Sequence, residues 1–190
     1  VGPGQLHQIP QLLADVATGS GPKLEVSLDR KEGTRREIEA SFESYDPLRD
    51  PQMRPTQHQA FVRIMIGCDK FCTYCIVPSV RGPEQSRPPE HIAAEVRQLA
   101  AEGCKEITLL GQTVNSYSYA AGDGRRFRLS DLLALIHDTA GIERIKFTTS
   151  FPRDFKPDIV DAIEEHENLC NWVHLPVQSG SDSVLKAMRR

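Results

Sequence analysis

Residues 61–78 read FVRIMIGCDKFCTYCIVP. The first six form a short, mostly apolar run closed by Gly67, the pattern of a buried strand rather than of a helix face. Behind it stands a loop with Cys68, Cys72 and Cys75, separated by three and then two residues. Three thiolates can hold three corners of a four-iron cube, whereas a closed structural metal site takes a fourth protein ligand. No fourth cysteine stands near by. The spacing therefore points to an iron–sulfur cluster with one iron left open to a small chelating molecule, into which a reduced cluster can pass an electron.

Two other readings compete for the same residues. A zinc centre would need Cys104 or Cys170 as its fourth ligand, and neither belongs to a second closely spaced pair. A disulfide framework would leave one thiol over, since the chain has 5 cysteines among 190 residues, with 39% hydrophobic content and no secretory signal. A reducing compartment, the cytoplasm, is the expectation. The length suits one sizeable core with a smaller appendage. No apolar run approaches the roughly 20 residues that cross a bilayer, so no membrane partner is expected. A net charge of −3 excludes the basic excess of an independent nucleic-acid-binding domain. Any RNA contact is local or supplied from elsewhere.

Working outward, Leu6, Ile9, Leu12, Leu13 and Val16 recur at helical spacing, which predicts a helix over residues 5–17 with a core-packing face. Gly19-Ser20-Gly21-Pro22 ends it, and residues 23–59 read as a charged, Pro-containing connector. Alternation at Leu24, Val26 and Leu28, and again at Ile38, Ala40 and Phe42, predicts a strand pair turning near Gly33. The opening Val1-Gly2-Pro3-Gly4 and a close inside a helical pattern at Met188-Arg189-Arg190 read as a fragment of a longer chain.

From residue 60 short apolar runs alternate with helical patterns. Strands are predicted at 61–66, 105–110, 144–149 and 172–177, and helices at 88–103, 129–139, 157–165 and from 183 onward, with Ser130 as a cap and Gly103 and Gly141 as stops. Such alternation means an α/β fold of parallel strands joined by right-handed crossovers, with ligands gathering at the strands' C-terminal ends. The unusual polar residues do follow the strands: the cysteine loop, Gly111-Gln112 with Asn115, Thr149-Ser150-Phe151-Pro152-Arg153, and Gln178-Ser179-Gly180.

The runs GCDKFCTYCIVPSVRGPEQSRP, LLGQTVNSY, FTTSFPRDF and HLPVQSGSDSVLKAMRR resemble the radical S-adenosylmethionine superfamily. Within it they resemble the methylthiotransferases, most of all those of the tRNA-2-methylthio-N6-dimethylallyladenosine synthase type. The resemblance covers about residues 60–190, with a weaker match in the N-terminal stretch. It implies a partial (βα) half-barrel, truncated after about the fourth strand, over residues 60–190. Residues 1–22 would be the end of the N-terminal methylthiotransferase domain and 23–59 a connector.

The implied activity replaces the C2–H bond of N6-isopentenyladenosine, at position 37 beside the tRNA anticodon, with a methylthio group. One S-adenosylmethionine yields a 5′-deoxyadenosyl radical and another gives the methyl. Relatives acting on a ribosomal protein or on threonylcarbamoyladenosine, and a non-catalytic iron–sulfur module, are the alternatives. The intact relatives carry three more cysteines for a second [4Fe–4S] cluster and a small β-barrel that grips RNA, so this stretch alone is expected not to complete the reaction. The anticodon stem-loop of tRNA and an electron-donor protein are the implied partners.

By the same resemblance Cys68, Cys72 and Cys75 are ligands of the radical cluster. Tyr74 lies where an aromatic meets the adenine of S-adenosylmethionine, with loop packing as its other role. Gln112, Asn115, Ser150, Arg153 and Gln178 follow the later strands and are the candidate cofactor contacts, Arg153 as a bidentate clamp on a carboxylate. Turn-forming, capping and solvated roles stand beside these. Gly67 would let backbone amides approach the cluster. Arg81 and Arg87 are candidates for RNA phosphates or carboxylates at the rim, or are ordinary surface charges.

Overall fold

The computed structural model describes residues 1, 8–25, 52, 54 and 56–190. Along the chain come α1 (Ile9–Ala17), β1 (Gln59–Arg63), β2 (Met65–Ile66), α2 (Val77–Arg81), β3 (Gln85–Ser86), α3 (Pro89–Ala101), β4 (Glu106–Leu110), β5 (Ser118–Ala120), β6 (Arg126–Arg128), α4 (Leu129–Ile136), β7 (Arg144–Phe147), α5 (Pro157–Glu165) and α6 (Asp182–Met188). Single 3-10 turns occupy Val114–Ser116 and Pro152–Asp154.

A parallel sheet in the order β1-β4-β7 carries the domain. Its register sets two faces. Val62, Leu109 and Phe147 form one row, all buried, and Phe61, Thr108 and Lys146 the next, with Phe61 exposed. The buried face packs on Ile92, Val96 and Leu99 of α3, Leu132, Leu133 and Ile136 of α4, and Ile159 and Ala162 of α5. Helices therefore cover one side, and the other stays half-open. Glu106 begins β4 with its carboxylate between Arg144 (2.9 Å) and Lys146 (2.5 Å) of β7.

Several sequence expectations need correction. The predicted strand 61–66 divides at Ile64, whose N–H still bonds to Leu110 O while its carbonyl accepts from Arg87 N–H, so that β2 leaves the sheet and pairs antiparallel with β3. No strand forms at 172–177. A single parallel bridge, Ile145 to Leu169, lies just ahead of the expected strand, and the following residues run without a ladder. Ser130 does not cap α4. The helix begins after Arg128, whose N–H bonds to Asp131 Oδ2, and the Ser130 hydroxyl pairs with Asp158 of α5.

α1 forms as the periodicity required, but none of its residues is buried, and Leu13 is 64% exposed. Periodicity identifies an apolar face; it does not supply the surface that covers it. The strand pair predicted between Leu24 and Phe42 lies largely outside the described residues. The β5–β6 hairpin was not anticipated, although Asp123-Gly124 at its tip is a hairpin signal.

Candidate cofactor site at the strand ends

The cysteine loop is an insertion between two paired strands. β2 and β3 bring residues 66 and 85 opposite each other, and everything from Gly67 to Glu84 is extruded at the C-terminal end of the sheet. Its neck is narrow. Gly67 has φ +79, and a Cβ there would sit 1.9 Å from Pro83 O, so no side chain fits. Cys68 N–H donates to Gly82 O across the same neck, at 3.1 Å.

Beyond it Cys68 and Cys72 are buried and Cys75 half-buried, with Cys75 N–H bonded to Cys72 O, and all are free thiols. Burial pushes the Cys68 thiol up, against a hydrogen bond from the Lys70 backbone, so a metal must displace its proton on binding. Among the described residues no three His, Cys, Asp or Glu side chains converge to share one metal ion. Thiolates that each bind a different iron of a cube have no need to converge on a single point, and the three-thiol donor set fits that group.

An ion cluster fixes this loop to its neighbours. Lys70 Nζ lies 2.6 Å from Asp154 Oδ2 and 3.5 Å from Glu84 Oε1. Thr113 Oγ1 donates to Glu84, and Ser116 Oγ to Asp154. Burial alone would lower the Lys70 pKa, but the two carboxylates outweigh it and hold it above its ordinary value. Burial opposes ionisation of Asp154 as well, and the Lys70 ammonium more than offsets it, so this carboxyl sits below its usual range. A cavity of about 610 Å³ opens on the flank of the cluster, lined by Lys70, Glu84, Asn115, Ser116 and Asp154 among others.

The second and third loops are clasped together. Asn115 is buried, its side-chain N–H donating to Phe151 O at 2.7 Å and its carbonyl accepting from Phe151 N–H at 2.8 Å. Thr149 takes a left-handed φ of +64, with its N–H on His174 Nδ1 and its hydroxyl on Gly111 O. Strained backbone of this kind persists only where the surroundings hold it, and it gathers at functional rims.

The sequence candidates separate accordingly. Ser150 is 2% exposed and its hydroxyl has no partner among the described residues; the half-buried Gln112 has a buried Oε1 in the same condition. Buried polar atoms are normally paired, so both keep unused hydrogen-bonding capacity at the strand ends. Asn115 spends its amide on Phe151, as above. Arg153 is exposed, 5.3 Å from the Phe151 ring. Gln178 is exposed at φ +71, and Tyr74 is exposed on the cysteine loop. Arg81 is half-buried. Arg87 is a correction: it is buried and paired with Glu95, and its carbonyl accepts from Tyr117 OH, which removes it from the surface. Lys70, Glu84, Phe151 and Asp154 were missed as site-builders, because their relationships join distant parts of the chain.

The sequence pattern of the Radical SAM superfamily matches residues 62–190. A tRNA-2-methylthio-N(6)-dimethylallyladenosine synthase from Rhodopirellula baltica is 53% identical over 190 residues, covering 100% of this chain and 40% of that protein. The protein of the same description from Photobacterium profundum is 41% identical, again over 100% of this chain and 37% of its own length. The chain thus spans about two fifths of the length of these curated relatives. Among solved structures, the radical S-adenosylmethionine methyltransferase TsrM of Kitasatospora setae, with tryptophan and a SAM analogue bound, superposes with a TM-score of 0.54 at 16% identity, over 70% of this chain and 24% of that one. Its form with cobalamin and a [4Fe-4S] cluster gives 0.52 at 17% identity, over 66% and 23%. At such identities the likeness is one of fold.

Proposed function

We propose, for a chain that belongs to the radical SAM superfamily, that Cys68, Cys72 and Cys75 hold a [4Fe–4S] cluster whose remaining iron takes S-adenosylmethionine. We propose further that the protein is a tRNA methylthiotransferase acting at C2 of N6-isopentenyladenosine 37. The observation that carries this is the extrusion of three free thiols through the pinched β2–β3 neck at the rim where Ser150 and Gln112 present buried, unpartnered oxygens. The 53% identity of a curated tRNA-2-methylthio-N(6)-dimethylallyladenosine synthase supports the choice of target. When bound, the cluster and S-adenosylmethionine supply the one-electron chemistry that an aromatic C–H bond requires and that no side-chain base can provide.

The chain's own residues bind and orient. The Gly67 neck fixes where the thiols emerge, and the Lys70–Asp154–Glu84 cluster holds the loop against the second and third βα connections. Ser150 and Gln112 offer hydrogen bonds to the cofactor's polar groups, with Tyr74, Arg153 and Gln178 exposed around them and Asn115 fixing the Phe151 main chain. A second [4Fe–4S] cluster, the grip on the tRNA anticodon stem-loop and docking of an electron-donor protein are expected from the parts of the relatives' length that this chain does not span. A cytoplasmic site of action follows from a tRNA substrate. Among the described residues no helix is long and apolar enough to cross a membrane.

The test is anaerobic reconstitution of the full-length protein with iron, sulfide, S-adenosylmethionine and reductant, with isopentenylated tRNA present. The expected products are 5′-deoxyadenosine and the methylthio-isopentenyl nucleoside, both read by mass spectrometry. 5′-Deoxyadenosine with unmodified tRNA would move the target to another substrate, such as a ribosomal protein. A loaded cluster that never cleaves S-adenosylmethionine would make this a non-catalytic iron–sulfur module.

A further inference from the structure

The end of α6 is strapped to the cysteine loop. Thr73, which follows Cys72, donates its N–H to Met188 O at 3.1 Å and its hydroxyl to Ala187 O at 3.2 Å. Arg189 then takes a left-handed conformation, φ 56 and ψ 47, which reverses the chain so that Arg190 N–H bonds back to Leu185 O. Helices commonly end in this conformation on glycine, which tolerates it; an arginine there bears backbone strain. The outcome of that reversal is the placement of Arg190.

Its guanidinium is held on three sides. Nη2 donates to Pro176 O at 2.6 Å, the guanidinium carbon lies 4.6 Å above the Phe151 ring, and Nη1 reaches Cys72 Sγ at 3.9 Å. Phe151 is a fixed platform, 2% exposed and gripped through its backbone by Asn115. Lys70 and Arg153 also lie over its ring, at 5.6 and 5.3 Å, so three cations share the Phe151 ring, and Arg190 is the one that reaches Cys72.

We infer that Arg190 is a positioning residue for the metal centre: its guanidinium, fixed between Phe151 and Pro176, donates to the sulfur of Cys72 and raises the reduction potential of the cluster held there. The inference rests on the reading that Cys72 is a cluster ligand. A donor at the long end of contact with a thiol is drawn closer to a thiolate, because charge-assisted hydrogen bonds shorten. A cation and a hydrogen bond at a ligand sulfur stabilise the form with one more electron, and hydrogen bonds to sulfur and local charge are among the levers that set the potential of such clusters. Lysine would keep the charge but lose the planar fork that stacks and bonds in two directions at once.

The experiment compares the full-length protein with its R190K and R190Q variants, each reconstituted anaerobically and titrated with dithionite while electron paramagnetic resonance follows the reduced-cluster signal that changes on adding S-adenosylmethionine, which belongs to the cluster with the open iron. The expected result is a midpoint for R190Q below wild type by about a tenfold change in the reduction equilibrium, roughly 59 mV for one electron. R190K should fall between the two. A residue that only straps the helix would change stability and leave the midpoint alone, so equal midpoints in all three loaded proteins overturn the assignment of Arg190. A wild type whose iron and sulfide content does not fall when Cys68, Cys72 and Cys75 are replaced by alanine overturns the cluster reading instead. If R190Q fails to load, R190K decides: a midpoint below wild type supports the inference, and an equal one ends it.

Discussion

Lys70 Nζ lies 2.6 Å from Asp154 Oδ2, so the cation between the first two cysteines is bonded to the loop that follows β7. The pair is largely shielded, with side chains 18% and 28% exposed. Its worth therefore falls between that of a surface ion pair and that of a buried one. Lys70→Met should cost about 1–2 kcal/mol in urea unfolding, by analogy with such partly buried pairs. An unchanged midpoint would show that the loop is held without this ion pair.

The same pair sets an acid limit. The Asp154 carboxyl is lowered, so its contribution to stability is present above the ordinary carboxylate pKa, about 3.9, and is lost as the pH falls through the lowered value. Lys70 is raised, so its contribution is complete below about 10.4 and is lost only as the pH climbs past its folded value. Stability across the neutral range should not depend on this pair's titration. Asp154→Asn should flatten the stability curve below about pH 4, measured by denaturant midpoints at successive pH values. A curve that keeps the same acid slope in the variant would assign that slope to other carboxylates.

Gly67→Ala should disrupt the neck. The left-handed φ alone costs roughly 1–2 kcal/mol for a residue with a side chain, and the methyl would meet Pro83 O at 1.9 Å. The loop must shift, and iron uptake should drop with it. Iron content and thermal midpoint measured together check this, and normal values for both would remove Gly67 from the account.

Tyr117→Phe separates the scaffold from the site. The phenol is buried, with its ionisation pushed far up chiefly by that burial, and it donates to Arg87 O at 2.7 Å. Losing the donor leaves a buried carbonyl without it, a cost of about 1–3 kcal/mol. Denaturation should register the loss while cluster content stays at the wild-type level.

Much of this was legible from local pattern. Pro157 and the apolar positions Ile159 and Ala162 dictate a helix whose bounds, Pro157–Glu165, match those predicted, and Gly103 ends the turn after α3 at φ +88. What escaped depends on partners that sequence does not place. Residues 172–177 have strand character, yet the main chain meets the edge strand β7 only at the Leu169–Ile145 bridge and leaves it before a ladder forms. Ile64 lies in a mostly apolar run, yet the pairing of Met65 and Ile66 with β3 splits that run. Arg87 looked like a surface charge until Glu95, on α3, enclosed it. Cys68, Cys72 and Cys75 were legible because their chemistry is written in spacing; Lys70, Asp154 and Arg190 were not, since each acquires its role from a residue far along the chain.

The central claim is that three thiols from one loop hold a four-iron cube and leave one iron for a small molecule. Anaerobic quantification of iron and sulfide in the full-length protein, before and after Cys68, Cys72 and Cys75 are all replaced by alanine, tests it most directly. The variant should lose one cube, about four irons and four sulfides, together with all 5′-deoxyadenosine formation. Unchanged iron and sulfide in the variant, or one zinc with no iron in the wild type, would contradict it.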